Sequence, residues 1–167
     1  MASPLPSPEP LWLKNGVSAI SLTDTRWQYC NIKSIALLPN ILLRQQALDQ
    51  QAMEAILIRD GLVTEGAASN IFIVEQGVLK TPAKDRHLLP GITRDLIVEL
   101  ARDNKMACEE CALTESQLLS AEEIWLTSSS KEIAPVVEID GRPVGDGRPG
   151  DVWLAAQTLF SAHKFDF

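Results

Sequence analysis

Glu54-Ala55-Ile56-Leu57-Ile58-Arg59, Asp60-Gly61 and Leu62-Val63-Thr64-Glu65-Gly66 form the stretch on which the fold class turns. An apolar run is followed by Asp-Gly and then by a second run that begins apolar. Asp-Gly in that position is a strong hairpin signal, because both central residues of the tight turn must accept positive φ. Two further stretches repeat the arrangement: Asn70–Glu75 turning at Gln76-Gly77 into Val78–Thr81, and Val136–Ile139 turning at Asp140-Gly141. Upstream, Val17-Ser18-Ala19-Ile20-Ser21-Leu22 alternates with the period of two of a half-buried strand, and Ile124-Trp125-Leu126-Thr127 reads as another.

Helices are fewer. Leu38, Ile41, Leu42, Gln45, Leu48 and Ala52 recur at helical spacing, which predicts a helix over about 38–52 with Pro39 tolerated in its first turn. A second helix is expected over about 92–104, after the Pro90-Gly91 break, with Leu96, Ile97, Leu100 and Ala101 on one face. Thr114-x-x-Gln117 is a capping box opening a short helix at Leu118-Leu119. The last helix spans about 151–163, with Asp151 as its expected N-cap. No internal repeat is visible. Hairpins dominate and helices are interspersed, so the class is α+β with antiparallel or mixed sheets rather than a doubly wound parallel sheet.

The composition sets bounds on function. Fifteen Lys+Arg stand against 22 Asp+Glu, a net charge of −7 over 167 residues, with 46% hydrophobic residues. Such a chain can bury one sizeable core without a disulfide or metal staple. The acidic balance argues against an extended phosphate-tracking surface, hence against nucleic acid as partner. No run approaches the roughly 18 consecutive apolar residues of a spanning helix, and the first residues lack the pattern of a signal peptide, so no membrane is implied and a cytoplasmic protein is expected. Cys30, Cys108 and Cys111 make an odd count, which suits a reducing compartment. Cys108-Glu109-Glu110-Cys111 has the C-x-x-C form, but a zinc site needs two more ligands at suitable spacing. Two intervening glutamates would also raise the thiol pKa values, so neither metal nor thiol chemistry is expected there. Residues 1–12 begin with prolines at positions 4, 6, 8 and 10, which read as an extended linker, and residues 13–167 as one domain.

Individually the candidate polar residues are ordinary. Lys33 sits after Asn31-Ile32 on a strand or its end, Glu65 at a Glu-Gly turn, and Arg26 beside Trp27. Considered together they are more specific. Gly91-Ile92-Thr93 opening a helix and the hydroxyl run after Trp125-Leu126-Thr127 each resemble an anion site built of backbone N–H groups and hydroxyls. Arg26 adds a fixed positive fork. A lysine that can form an imine and a carboxylate for a pyridine nitrogen are the remaining parts of a pyridoxal phosphate site.

Five stretches occur in family order: Arg26-Trp27-Gln28-Tyr29-Cys30-Asn31-Ile32-Lys33-Ser34, Val63-Thr64-Glu65-Gly66-Ala67-Ala68-Ser69-Asn70-Ile71-Phe72, Leu88-Leu89-Pro90-Gly91-Ile92-Thr93-Arg94, Leu126-Thr127-Ser128-Ser129 and Glu138-Ile139-Asp140-Gly141. Together they resemble the C-terminal large domain of the fold-type IV (class IV) pyridoxal phosphate-dependent aminotransferases, in wording most like the D-amino acid branch. The resemblance implies a pseudo-barrel of mixed and antiparallel strands with flanking helices. It implies pyridoxal 5'-phosphate as cofactor, an amino acid and a 2-oxo acid as substrates, and a homodimer. It makes Lys33 the Schiff-base lysine and general base, and Glu65 the partner of the pyridine nitrogen. Arg26, Ile92, Thr93, Ser128 and Ser129 would bind the phosphate, and Leu89 would pack on the ring. Ala67-Ala68 stand where some relatives carry serine, and Ser129 where threonine is common. Branched-chain aminotransferases and aminodeoxychorismate lyase share the lysine and the glutamate and are the alternatives, as is a non-catalytic fragment. Such enzymes carry a smaller N-terminal domain, and that domain is expected to be missing here.

Overall fold

All three hairpins form at their expected turns. Asp60 and Gly61 take φ of 51° and 77°, Gln76 and Gly77 53° and 72°, and Asp140 and Gly141 51° and 72°. Two successive positive values match the twist of the flanking strands, which is why Gly occupies the second place each time. The computed structural model describes residues 10–165. In chain order it runs α1 (Pro10–Asn15), β1 (Val17–Thr23), α2 (Leu38–Asp49), β2 (Glu54–Arg59), β3 (Leu62–Gly66), β4 (Asn70–Glu75), β5 (Val78–Pro82) and α3 (Ile92–Asp103). It continues with β6 (Cys108–Cys111), α4 (Glu115–Leu119), β7 (Glu123–Ser128), β8 (Glu132–Ile139), β9 (Arg142–Pro143) and α5 (Asp151–His163). Residues 10–12, read as linker, belong to α1, and residues 1–9 of that stretch lie outside the described residues.

The strands make one mixed sheet in the order β3-β2-β1-β8-β7-β4-β5-β6, with β9 beside β8. β1 runs parallel to both β2 and β8, and β5 parallel to β6; the remaining pairs are antiparallel. The sheet curls into a half-barrel. Its β3 end runs into β4 through a tight turn in which Gly66 N–H donates to Ser69 O at 2.7 Å, and residue 113 joins β3 at Val63 N–H to Leu113 O, 2.8 Å. One face of every long strand feeds a single core: Val17, Ala19, Ile56, Val63, Ile71, Ile73, Ile124, Leu126, Ala134 and Val136. That face is the inside of the curl. The outer face carries Phe72, Val74, Trp125 and Ile133, covered by α3 through Ile97, Val98 and Ala101 and by α5 through Trp153, Ala156 and Phe160. A third cluster packs Leu43 and Ala47 of α2 onto Ile20, Ala55 and Leu57.

Three further elements differ from the sequence reading. Strand β6 is absent from the sequence reading, because Cys-Glu-Glu-Cys lacks apolar alternation; it forms by pairing in parallel with Leu79–Pro82. The helix expected over 38–52 ends at Asp49, and Gln51 takes φ 60° where the chain turns back. The N-cap of α5 is Gly150 rather than Asp151. Glu123 caps that helix from β7, accepting the N–H groups of Val152 at 3.0 Å and Trp153 at 2.8 Å.

Candidate active site

Glu65 owes its position to a β-bulge. β2 and β3 pair Ile58 with Val63 but Ile56 with Gly66, so three steps on β3 oppose two on β2. The extra residue breaks the strict alternation of faces, and Val63 packs in the inner core while Thr64 and Glu65 both bond to Arg26. Glu65 is 5% exposed, and the surroundings of its carboxylate are polar. Leu89 N–H donates to Oε2 at 3.0 Å, Asn70 Nδ2 reaches the same oxygen at 3.4 Å, and Arg26 Nη1 donates to Oε1. Burial pushes its pKa up to about 7, against the opposing pull of Arg26 and the Leu89 amide.

Arg26 is a junction. Its Nε donates to Asp24 Oδ1 at 2.9 Å, Nη2 to Asp24 Oδ2 at 3.0 Å and to His87 O at 3.1 Å, and Nη1 to Glu65. Thr64 Oγ1 donates to Asp24 Oδ2 at 3.1 Å, and Arg59 lies 3.1 Å from the same oxygen. Asp24 is held below its ordinary pKa: burial opposes ionisation, but Arg26 and Arg59 outweigh it. The sequence assigns Arg26 to a phosphate. In the structure all three of its nitrogens are already engaged, and its charge faces Glu65 and Asp24. Asp24 and Asn70 are site residues that the sequence reading misses; Asp-x-Arg two residues apart was the available signal, since such a pair can share one turn.

The two segments read as phosphate-binding each border Asn70, one through Gly91 and the other through Thr127. Asn70 Nδ2 donates to Leu89 O at 2.8 Å, and a Cβ on Gly91 would overlap Asn70 Oδ1. Helix α3 therefore begins directly against this side chain. Its N-cap Gly91 supplies no side-chain bond, which leaves the first amides of the helix uncapped by any side chain, with Thr93 buried and Ile92 77% exposed. Across the sheet Asn70 pairs with Thr127, the residue before Ser128 and Ser129. The Thr127 hydroxyl is buried and has no partner among the described residues. Ser128 Oγ accepts the Lys131 N–H at 3.1 Å, whereas Ser129 is exposed at the turn. Leu89 is half-buried between the two groups of residues, its main chain bonded to both Glu65 and Asn70.

Lys33 stands apart from strand structure, which corrects the expectation of a strand or strand end. It lies in the irregular segment between β1 and α2, is exposed, and makes no side-chain hydrogen bond or ion pair among the described residues. Neighbouring groups tie this segment to the loop before α3, the Asn31 N–H donating to Arg86 O at 3.3 Å and the Arg26 side chain to His87 O. The segment has no alternating pattern to pair, and Ile32 and Ile35 are 53% and 100% exposed. On β6, Cys108 and Cys111 stand three residues apart, which places them on opposite faces: Cys108 against the outer core and Cys111 against the inner one. Burial is the main cause raising both thiol pKa values, ahead of the glutamates.

Comparison with known proteins gives a consistent result. The profile of the amino-transferase class IV family matches residues 1–139. D-alanine aminotransferase of Bacillus licheniformis is 46% identical over 145 residues, covering 87% of this chain and 51% of that protein. The enzyme of the same name from Listeria innocua is 43% identical over 145 residues, covering 87% and 50%. Among solved structures, branched-chain amino acid aminotransferase of Escherichia coli superimposes with a TM-score of 0.80 at 32% identity, covering 92% of this chain and 53% of that one. The T.th. branched-chain amino acid aminotransferase, complexed with N-(5'-phosphopyridoxyl)-L-glutamate, gives 0.78 at 28% identity, covering 89% and 52%. The chain spans about half the length of these relatives. With motif order, curled mixed sheet and profile in agreement, the chain belongs to the class IV aminotransferase family.

Proposed function

We propose that this chain is the cofactor-binding part of a pyridoxal 5'-phosphate-dependent aminotransferase that exchanges the amino group of a D-amino acid such as D-alanine with a 2-oxo acid. The observation that carries the reading is Glu65: a carboxylate buried by a bulge, bonded by Leu89, Asn70 and Arg26, and set beside the uncapped start of α3. The cofactor fits these residues on two counts. A protonated ring nitrogen would replace lost solvation at a buried carboxylate, and the orphaned Thr127 hydroxyl with the free α3 amides suits a dianion. When bound, the pyridoxal group supplies an electron sink for the charge left when an amino acid loses its Cα proton.

The roles of the chain's own groups follow. Lys33 Nζ would attach the cofactor and, once freed, take and return the proton at the substrate carbon. Glu65 would keep the ring nitrogen protonated, and the positive charges of that nitrogen and of Arg26 together would hold Glu65 ionised against its burial. The α3 amides of Ile92 and Thr93, with Ser128 and Ser129, would hold the phosphate, and Leu89 would pack against the ring. The proposal makes the working enzyme a cytoplasmic homodimer whose substrate pocket is completed by a smaller domain outside these 167 residues.

Two experiments test this. Borohydride reduction in the presence of pyridoxal 5'-phosphate should fix a mass adduct on Lys33; a Lys33→Ala chain that gives the same adduct would refute the assignment. Assay of the chain with D-alanine and 2-oxoglutarate should give little turnover, because positioning of substrate by the second domain supplies much of the rate. Turnover matching a full-length relative would overturn the two-domain reading. The structural likeness to branched-chain enzymes supports a second substrate reading, and preference of the full-length protein for L-leucine over D-alanine would favour it.

A further inference from the structure

Glu54 opens β2 and is fully buried, yet nothing in the site described above uses it. Its Oε2 accepts Lys131 Nζ at 2.8 Å and Ser69 Oγ at 3.1 Å, and its Oε1 lies 3.2 Å from the Ala55 amide. Lys131 is itself 7% exposed. A fully enclosed ion pair is a weak source of stability, since desolvating both charges offsets their attraction, and apolar residues of the same volume do as well or better. What this pair does have is location. Ser69 lies in the turn between β3 and β4, whose two ends carry Glu65 and Asn70. Lys131 lies in the turn between β7 and β8, which carries Ser128 and Ser129, and its own N–H donates to Ser128 Oγ at 3.1 Å.

We propose that Glu54 is a positioning residue that locks the Ser128–Ser129 turn to the Glu65–Asn70 turn through Lys131 and Ser69. The inference rests on the reading of Ser128 and Ser129 as phosphate-side residues. A pyridoxal phosphate ring is rigid, so the group that meets its nitrogen and the groups that meet its phosphate must be held at a fixed separation. One carboxylate bonded to both turns from the inner side of the curl sets that separation, without touching the ligand. Gly66 belongs to the same device, because a Cβ there would overlap Ser69 Oγ and press on the Glu54 side chain.

The test compares pyridoxal 5'-phosphate with pyridoxal, which lacks only the phosphate, by absorbance titration of the full chain. Circular dichroism melting runs alongside. The wild type should prefer the phosphorylated ligand by at least about tenfold. Glu54→Gln and Lys131→Met should cut that preference about tenfold while leaving the pyridoxal constant within about twofold. Each single change strands one buried polar partner, so a double variant, Glu54→Met with Lys131→Met, removes both charges together and should stay folded with the preference still lost. A folded double variant with the wild-type preference overturns the proposal, as does equal weakening of both ligands. Failure of the double variant to fold also overturns it, since the pair is then structural. If the wild type itself does not distinguish the two ligands, the phosphate-side reading falls, and this inference with it.

Discussion

A glutamate titrates ordinarily at 4.5, whereas burial lifts Glu65 to about 7, so between those values the folded chain holds a proton that the unfolded chain releases. The contribution of Glu65 to stability is therefore fully present below about 4.5 and is lost as pH rises through about 7. Asp24 has the opposite sign: its lowered pKa gives stability that is present above 3.8 and lost as pH falls through the depressed value. Replacing Glu65 by Gln should remove the first dependence and keep the second. Melting temperature measured from about pH 5 to about pH 8 should fall more steeply for the wild type than for Glu65→Gln. Parallel curves would mean that Glu65 is ionised throughout, held so by Arg26. At this scale the sequence motif singled out Glu65 and Thr93, which the fold buries, and Lys33, which it leaves exposed, but it could not show where Arg26 directs its donors. That depends on Asp24, which the chain brings to the guanidinium only after β1 has ended. Glu54 was legible in one respect, since it falls in phase with Ile56 and Ile58 on the inner face of β2, where a charge needs a partner. Nothing near Lys131 in sequence announces that it is the partner.

Two glycines at helix starts carry the element-scale predictions. Gly91→Ala would push its Cβ into Asn70 Oδ1, displacing the side chain that links α3 to Glu65. The expected result is weaker pyridoxal 5'-phosphate binding with a stability loss of about 1–2 kcal/mol, read by ligand titration and thermal melting. Gly150→Ala would collide with the Glu123 carboxylate that caps α5. It should cost about 1–2 kcal/mol, the scale of a lost N-cap, and leave ligand binding unchanged. Most elements were readable because their signals are local: Asp-Gly and Gln-Gly turns, the Thr114 capping box, the apolar stripe of α3. The cap of α5 was not, because Glu123 stands 29 and 30 residues before the Val152 and Trp153 amides that it accepts. The bulge in β3 was hidden for a similar reason: it exists only in the register with β2. For α2 the spacing was right, but the apolar stripe is not the buried one. Leu43 and Ala47 pack inward, while Leu38, Ile41 and Leu42 are more than half exposed. Tertiary placement, not periodicity, decides which side of a weakly amphipathic helix is covered.

At the scale of the whole molecule, one sheet backs two cores, so damage to either face should be felt by both. Ile56→Ala in the inner core should cost about 2–5 kcal/mol and Phe72→Ala in the outer core about 3–5 kcal/mol. In each variant tryptophan fluorescence, which reads Trp125 and Trp153 in the outer core and Trp12 against the inner one, and far-ultraviolet circular dichroism of the strands should melt together. Separate transitions would show the faces to be independent. The fold class was legible because hairpins outnumber helices. The curl was not, because it is closed by contacts such as Val63 to Leu113, between residues far apart in the chain, which have no signature in a run of residues. The exposed apolar side chains of the β1–α2 segment and α2 were visible as hydrophobic residues, but their exposure was not.

The central position of β1 has a consequence for synthesis. It is the first strand made among the described residues, yet one of its two neighbours is β8, with Val17 opposite Val136. On the ribosome the β2–β3 and β4–β5 hairpins can form as they emerge, but β1 keeps one edge unpaired until the last strands leave the exit tunnel. Assembly of the complete sheet is thus postponed to nearly the end of translation of this segment. An arrest series should show protease resistance appearing abruptly once residues 132–139 are outside, and gradual acquisition at shorter lengths would contradict the strand order as the timer.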